Sequence, residues 1–457
     1  MTSKVRFAPS PTGLLHVGNA RTALINALFA VASQGHFLLR FDDTDRERSR
    51  DEFASAIEED LRWMGLAWDS CVRQRHHIAN YEAALARLRD VGRVYPCWET
   101  PEELEYKRKR QLARGRPPIY DRAALKLSVA ERARLEAEGR RPHWRFLLEP
   151  GALAWDDLVR GRVELQADHM SDPIVVRADG TFLYMLPSAI DDIELHVTCV
   201  IRGEDHVANT AVQIQMFRAL GSEPPAFAHL PLLTDIAGKG LSKRLGSMTV
   251  RSLREDGIEP LALASYLARL GTGDAPHPAG SLSELARNFD MSRYGRATPK
   301  FDESQLARVN AQVLHSTSWR TMQPRLAALG LTHANESFWN AVRDNLERLG
   351  DVQDWYDVCF GDITVGAIDA ALADQAAASL PSEPWDGATW QDWTQAIRKA
   401  TGRKGRDLFL PLRLAQTGRQ HGPELRELLP LIGRRVVQQR LRTAAGVRAP
   451  TPANLGL

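Results

Sequence analysis

The residues best suited to chemistry fall in four short clusters, each at a junction between extended and helical sequence. The first runs from Phe7 to Arg21 and centres on His16, with Gly13 and Gly18 on either side and Pro9 and Pro11 before it. Prolines fix a turn, and glycines let backbone come close to a ligand. Free N–H groups at a helix start attract an anion. His16 adds a side-chain donor at the same spot, so the cluster suits a nucleotide phosphate. The second cluster is Asp42-Asp43-Thr44-Asp45-Arg46, just past a strand, where open α/β sheets bind ligands. The third is Arg202-Gly203-Glu204-Asp205-His206, whose arginine fork pairs bidentately with a carboxylate. The fourth is the glycine-and-lysine loop from Gly238 to Gly246, with Lys239, Lys243 and Arg244. Taken singly, each has a plain structural alternative: a tight turn, an acidic helix start, a surface arginine, a surface loop. No Ser–His–Asp or Cys–His set is visible.

Alternating strands and helices must position these clusters. Val5 to Ala8 reads as a strand. A helix from Asn19 to about Ser33 follows, with apolar residues at Ala20, Ala23, Leu24, Ala27, Leu28 and Val31 and with Gly35 as a left-handed stop. Phe37 to Phe41 is a strand, Asp51 to Met64 a helix, and Tyr81 to Gly92 another. From Tyr95 to about Arg177 the rhythm gives way to a charged, irregular insert. It carries Tyr106-Lys107-Arg108-Lys109-Arg110 and later Arg140-Arg141-Pro142-His143-Trp144-Arg145. Such a run is often a solvated helix face, but cations interleaved with aromatics also suit RNA. Strands are expected again at Pro173–Arg177, Thr181–Leu186, Leu195–Ile201 and His229–Leu233, with a helix from Val207 to Leu220. Gly271 to Gly280 is a Gly/Pro-rich break. From Phe301 helical periodicity dominates, with six tryptophans (Trp319, Trp339, Trp355, Trp385, Trp390, Trp393) that read as bundle core.

The chain has 457 residues, enough for two to four domains. Its 59 Lys and Arg against 57 Asp and Glu leave a net charge of +2, so any basic surface is local. Four scattered cysteines (Cys71, Cys97, Cys199, Cys359) form no C-x-x-C pair and fit a reducing cytosol. No apolar run reaches membrane-spanning length. A soluble cytoplasmic protein is expected.

The string Arg6-Phe7-Ala8-Pro9-Ser10-Pro11-Thr12-Gly13, continuing through His16-Val17-Gly18-Asn19 to Arg21-Thr22, closely resembles the first signature of glutamyl-tRNA synthetases. In these class I aminoacyl-tRNA synthetases it is the "HIGH" motif. Val200-Ile201-Arg202-Gly203-Glu204-Asp205-His206 matches the same family, and Leu241-Ser242-Lys243-Arg244 resembles its "KMSKS" loop, with Gly240 where the first lysine usually stands and Lys239 one residue early. The resemblance implies an α/β Rossmann-like class I catalytic domain with an acceptor-binding insertion, followed by a mostly α-helical C-terminal anticodon-binding region. The expected boundaries are 1–95 and 179–238 for the two catalytic halves, 96–178 for the insertion, 239–305 for the KMSKS-like and stem-contact region, and 306–457 for the helical region.

The resemblance further implies ligation of L-glutamate to the 3′ end of tRNA in two steps through glutamyl-adenylate. His16 and Lys243 carry the catalytic electrostatics. Arg6, Ala8, Ser10, Asp42, Tyr184, Ser188 and Arg202 form the glutamate pocket. ATP, arriving with magnesium as substrate, meets His16, Gly18, Asn19, Asp205, His206, Lys239, Lys243 and Arg244. Lys107, Arg108, Lys109 and Arg110 meet tRNA. Asp42 stands where the family often has Glu, and Ser188 where it often has Asn. Many relatives bind zinc in the insertion, but here Cys97-Trp98-Glu99 and Tyr120-Asp121-Arg122-Ala123 offer one cysteine without thiolate or imidazole partners. No zinc and no other resident metal are expected. A monomer is expected. The acceptor is tRNA(Glu), tRNA(Gln) or both, and the sequence leaves that open. The helical half argues against a truncated paralogue that modifies a tRNA base, and the Pro-Ser-Pro-Thr-Gly wording against glutaminyl-tRNA synthetase. The RNA-scale insert and tail argue against a small-molecule nucleotidyltransferase. A catalytically inactive RNA-binding protein on the same scaffold remains an alternative.

Overall fold

A computed structural model describes residues 2–241 and 248–446. The chain divides into two compact units, residues 1–255 with 260–303, and residues 256–259 with 304–457.

The first unit opens β1 (Lys4–Phe7), α1 (Val17–Ala32), β2 (His36–Phe41), α2 (Asp51–Trp63), β3 (Ser70–Arg73), α3 (Ile78–Asp90) and β4 (Val94–Cys97). Two helices, α4 (Pro101–Ala113) and α5 (Val129–Ala137), precede β5 (His143–Phe146), β6 (Ala152–Asp157), β7 (Gly161–Gln166) and β8 (Ile174–Val176). Then come α6 (Met185–Glu194), β9 (Cys199–Gly203), α7 (Val207–Ala219) and β10 (Ala226–Leu230). Strands β1, β2 and β3 form one parallel sheet, and β9, β10 and β6 are parallel in a second, edged by antiparallel β7. The two sheets meet where the Thr198 N–H donates to the Lys4 carbonyl at 2.9 Å. Strand C-termini therefore line up on either side of a switch point, the place where open α/β sheets hold ligands.

Several expectations shift. Helix α1 starts two residues early, at Val17, with His16 as its N-cap. Its left-handed residue is Gln34 (φ 51°), not Gly35. Gly35 serves close approach instead, because a Cβ there would stand 2.2 Å from the Ser3 carbonyl. Thr181–Leu186 is not a strand. Only Phe182 bridges back to Val176, and Gly180 (φ 90°) turns the chain into α6. Leu186, Ala189 and Ile190 recur at helical spacing on the buried face of α6, so that period wins. Strand β9 begins four residues later than expected, after His196 (φ 54°) turns the chain. Strand β10 ends before Pro231, which has no N–H for a ladder.

The insert is ordered. Strands β4, β5 and β8 form an antiparallel sheet. Thr100 with Glu103, and Ser128 with Glu131, make capping boxes that start α4 and α5. Neither helix buries a residue. Strand β6, inside residues 96–178, pairs with β10 through Phe227 and Asp157 and so joins the second parallel sheet.

The second unit is helical. Trp339 and Trp393 are fully buried in its core, Trp355 nearly so, and Trp319, Trp385 and Trp390 pack against them.

Candidate active site

The turn before α1 exposes Ser10 and half-buries Ala8, and the first turn of α1 half-buries Gly18 and exposes Asn19. No atom lies within 4 Å of where a Gly13 Cβ would stand, which leaves room in front of the turn. The His16 Nδ1 accepts from the Gly18 N–H at 3.3 Å, so the ring proton sits on Nε2. That Nε2 is buried and has no hydrogen-bond partner among the described residues. Burial lowers the ring's proton affinity, only partly opposed by the Leu241 backbone, so His16 is a neutral donor. The segment after the KMSKS-like loop braces this turn: Val17 N–H donates to Met248 O at 3.0 Å and Val250 N–H to Leu15 O at 2.9 Å.

Beside it lies a buried lattice of charges. Arg6 Nε on β1 donates to Asp192 Oδ1 at 3.0 Å. Arg40 on β2 reaches Asp42 Oδ1 at 2.7 Å, Asp192 Oδ1 at 2.7 Å and Ser188 Oγ at 3.0 Å. Asp191 accepts from Tyr81 Oη at 2.9 Å and Gln74 Nε2 at 2.8 Å. Burial pushes Asp42 up to about 6, although Arg40 pulls the other way. For Asp192, Arg6 and Arg40 outweigh the burial cost and hold the carboxyl below its ordinary range. The lattice brings Arg6, Asp42 and Ser188 together.

Arg202, at the end of β9, belongs to a second set. Its NH1 donates to Tyr184 Oη at 3.0 Å, its Nε to His229 Nε2 at 3.3 Å and its NH2 to Thr210 Oγ1 at 2.5 Å. All three acceptors are neutral. Arg202 is buried and forms no ion pair among the described residues. Burial pulls its guanidinium below the ordinary value. The Tyr184 and His206 rings lie 5.4 Å apart. Burial, with Arg202 facing it, pushes His206 down to about 4. Asp205 is exposed, 3.7 Å from His206. Lys239 is exposed, and its N–H donates to Asp235 Oδ1 at 2.8 Å. Lys243 and Arg244 lie outside the described residues.

The arrangement offers a helix start with a neutral histidine donor and, at the end of β9 in the same unit, a buried cation without a counter-ion among the described residues. It suits holding two anions together. The family described as tRNA synthetases class I (E and Q), catalytic domain, matches residues 2–308, and the one described as anticodon binding domain matches residues 336–445. A glutamate–tRNA ligase of Methylobacterium sp. (strain 4-46) is 56% identical over 97% of this chain and 100% of its own. One from Parvibaculum lavamentivorans is 56% identical over 96% of this chain and 98% of its own. The chain belongs to the glutamyl-tRNA synthetase family of class I. A crystal structure of a glutamate tRNA ligase from Elizabethkingia meningosepticum, in complex with its amino acid, superposes with a TM-score of 0.87 at 26% identity, over 98% of this chain and 99% of its own.

The expected RNA stripe of this synthetase divides in two. Lys107 turns inward, to Glu99 Oε1 at 3.1 Å and Asp121 Oδ1 at 3.3 Å. Arg108, Lys109 and Arg110 are exposed beside Tyr106. The donors around Cys97 do not fit zinc. Tyr120 Oη donates to Glu99 at 2.8 Å, the Lys107 ammonium sits on the same carboxylate, and burial pushes the Cys97 thiol up to about 11. Strand pairing does set the His143 imidazole opposite Cys97, a partner the sequence alone does not place there, but among the described residues no group of three or more His, Cys, Asp or Glu side chains is gathered for a metal.

Arg40, Asp192, Thr210, His229 and Asp157 were not among the expected site residues. Arg40 had a signal, since it stands two before Asp42 on the same strand face. In the helical unit the basic stretches around Arg403–Arg406 and Arg413, which from sequence could meet RNA phosphates, gather on one face. Arg406, Phe409, Arg413, Gln420 and His421 line a cleft of about 290 Å³, and Arg403, Arg406 and Asp407 line one of about 480 Å³. Phe409 is 46% exposed there, 5.9 Å from Trp390.

Proposed function

We propose that this synthetase ligates L-glutamate to tRNA with Arg202 as the anchor for a glutamate carboxylate. The observation that carries this reading is the buried guanidinium whose donors meet only neutral oxygens and an imidazole. A buried charge left so is costly unless a ligand supplies the counter-charge. Tyr184 shares the anchor, and Arg6, Ala8, Ser10, Asp42 and Ser188 form the rest of the pocket. ATP lies over His16, Gly18 and Asn19, with Asp205, His206, Lys239, Lys243 and Arg244 around it, and brings its own Mg²⁺ as part of the substrate.

In the first step the glutamate α-carboxylate attacks the α-phosphorus of ATP, the bond to the β-phosphate breaks, and pyrophosphate leaves. In the second, a terminal ribose hydroxyl of tRNA attacks the adenylate carbonyl, and AMP leaves. Positioning the two anions supplies about 7–11 kcal/mol of the barrier. Donors such as His16 Nε2, aimed at charge that moves onto phosphate oxygen, supply about 3 kcal/mol each.

The RNA runs over Arg108, Lys109 and Arg110 in the first unit and over the Phe409 face in the second, where an exposed ring flanked by arginines suits an unstacked base. Lys107 supports this surface through its ion pairs. The synthetase works as a zinc-free monomer in the cytoplasm, where its four unpaired cysteines stay reduced. No helix among the described residues is long and apolar enough to cross a membrane.

Charging with labelled glutamate, ATP and Mg²⁺ on separate tRNA(Glu) and tRNA(Gln) transcripts tests the reading. Product on tRNA(Glu) alone makes the enzyme discriminating. Product on tRNA(Gln) ties it to a route with a later amidation. No product on either from folded protein refutes the reading and favours an inactive RNA-binding scaffold.

A further inference from the structure

Behind Arg202 runs a buried chain of polar groups that the reaction as described does not use. His229 on β10 stands between Arg202 and Asp157 on β6, and both its ring nitrogens are engaged. Nε2 lies 3.3 Å from Arg202 Nε and 2.9 Å from Thr210 Oγ1. Nδ1 lies 2.5 Å from Asp157 Oδ2. The His229 and Asp157 side chains are fully buried. An arginine Nε only donates, so His229 Nε2 must accept. The ring proton is therefore on Nδ1 and is donated to Asp157.

Asp157 is itself held in place. Its Oδ1 accepts from three backbone N–H groups, those of Val159 at 3.1 Å, Arg160 at 2.9 Å and His229 at 3.1 Å. Its hydrogen bonds to His229 and to those N–H groups outweigh burial and keep the carboxyl ionised. Burial keeps the imidazole neutral.

From this geometry we infer that Asp157 and His229 are positioning residues for Arg202. Asp157 fixes the tautomer of His229, and His229 then orients the arginine fork toward the substrate carboxylate. The imidazole also acts as a spacer. A carboxylate set directly on Arg202 would compete with the substrate for its charge, whereas a neutral ring orients the fork and leaves that charge available. Thr210 completes the arrangement by accepting from Arg202 NH2, so the Nε and NH2 edge is committed to the scaffold. NH1, on Tyr184, stays on the pocket side. The inference rests on the reading of Arg202 as the glutamate anchor.

Asp157→Asn tests it with almost no change of shape. The three backbone N–H groups claim the amide oxygen, so the amide NH2 must face His229 Nδ1. The ring proton then moves to Nε2 and points at the Arg202 Nε–H, donor against donor. ATP–pyrophosphate exchange, measured with tRNA present, should show the KM for glutamate raised about 10- to 100-fold, with the KM for ATP within about twofold and the melting temperature retained. His229→Gln, whose amide can still accept from Arg202 and donate to Asp157, should recover most of the glutamate affinity that His229→Ala loses. An unchanged glutamate KM in Asp157→Asn overturns the inference, as does a parallel rise in both KM values. Should Asp157→Asn fail to fold, equal glutamate KM values for His229→Gln and His229→Ala overturn it. Arg202→Gln in the same assay separates the two claims. A large glutamate effect there beside none in Asp157→Asn removes only the positioning device. No effect in Arg202→Gln removes the anchor itself and the device with it.

Discussion

His16 shows how a residue's role is settled by which of its atoms is already occupied. Its Nδ1 is spent on the Gly18 N–H that starts α1, so only Nε2–H can meet a ligand. A lysine there would bring a charge, and an asparagine would reach less far. His16→Ala should therefore cut adenylate formation by about 10²- to 10³-fold with the melting temperature nearly unchanged, as followed by pyrophosphate exchange with tRNA present. Near-wild-type exchange would remove His16 from the mechanism. Many of the residues that touch substrate in this reading were legible because they sit in contiguous strings that resemble a family signature, such as the Phe7–Arg21 turn and the Arg202–His206 corner. Their supports were not. Arg40 meets Ser188 148 positions away, and Asp157 meets His229 72 positions away. No local pattern in a single sequence encodes such pairs, and Asp157 stands far from any motif.

Elements were legible where one period dominated. Helices α1 and α2 follow from 3.6-residue spacing, and α2, α3 and α7 from the left-handed glycines just past them, Gly65, Gly92 and Gly221. The insert looked irregular because its strands are short and its charged helices bury nothing, so neither period stands out. Strand β5 of that insert carries a buried group with its own consequence. Burial, together with Arg145, pushes His143 down to about 4, and its Nε2 has no partner among the described residues. In the unfolded chain the ring titrates near the ordinary value of about 6.5. Between these values the unfolded state binds the extra proton, so the contribution of His143 is fully present above about pH 6.5 and is lost as pH falls toward 4. The full loss is about 3 kcal/mol. His143→Gln, which cannot titrate, should narrow the gap in urea-unfolding free energy between pH 7 and pH 4 by about that amount. An identical pH dependence in both proteins would show that the ring is reached by water.

At the scale of the whole molecule, 59 positive against 57 negative side chains predict no general attraction to RNA. What attraction exists must come from where the charges are left unpaired. Two places come nearest to that, one in each compact unit: Arg108, Lys109 and Arg110 along α4, where Glu105 pairs only loosely with Arg108 at 3.8 Å and Lys109 at 3.9 Å, and Arg406 and Arg413 around Phe409. Within each, some cations are already committed. Lys107 is held by Glu99 and Asp121, and Arg403 by Asp369, so these contribute less than their charge suggests. A cation that meets a phosphate releases a counter-ion, and the logarithm of RNA affinity then falls with the logarithm of salt in proportion to the number of such contacts. The tRNA KM for charging should therefore rise steeply between about 50 and about 200 mM salt, while the KM for glutamate moves little. Arg108→Ala and Arg406→Ala should each lower the slope by about 0.7–0.9, and the double variant by the sum, because the two sites share no partners. Lys107→Ala should change the slope less than either. A slope that Arg406→Ala leaves untouched would take the Phe409 face out of the RNA path and leave α4 to carry the electrostatic contact alone.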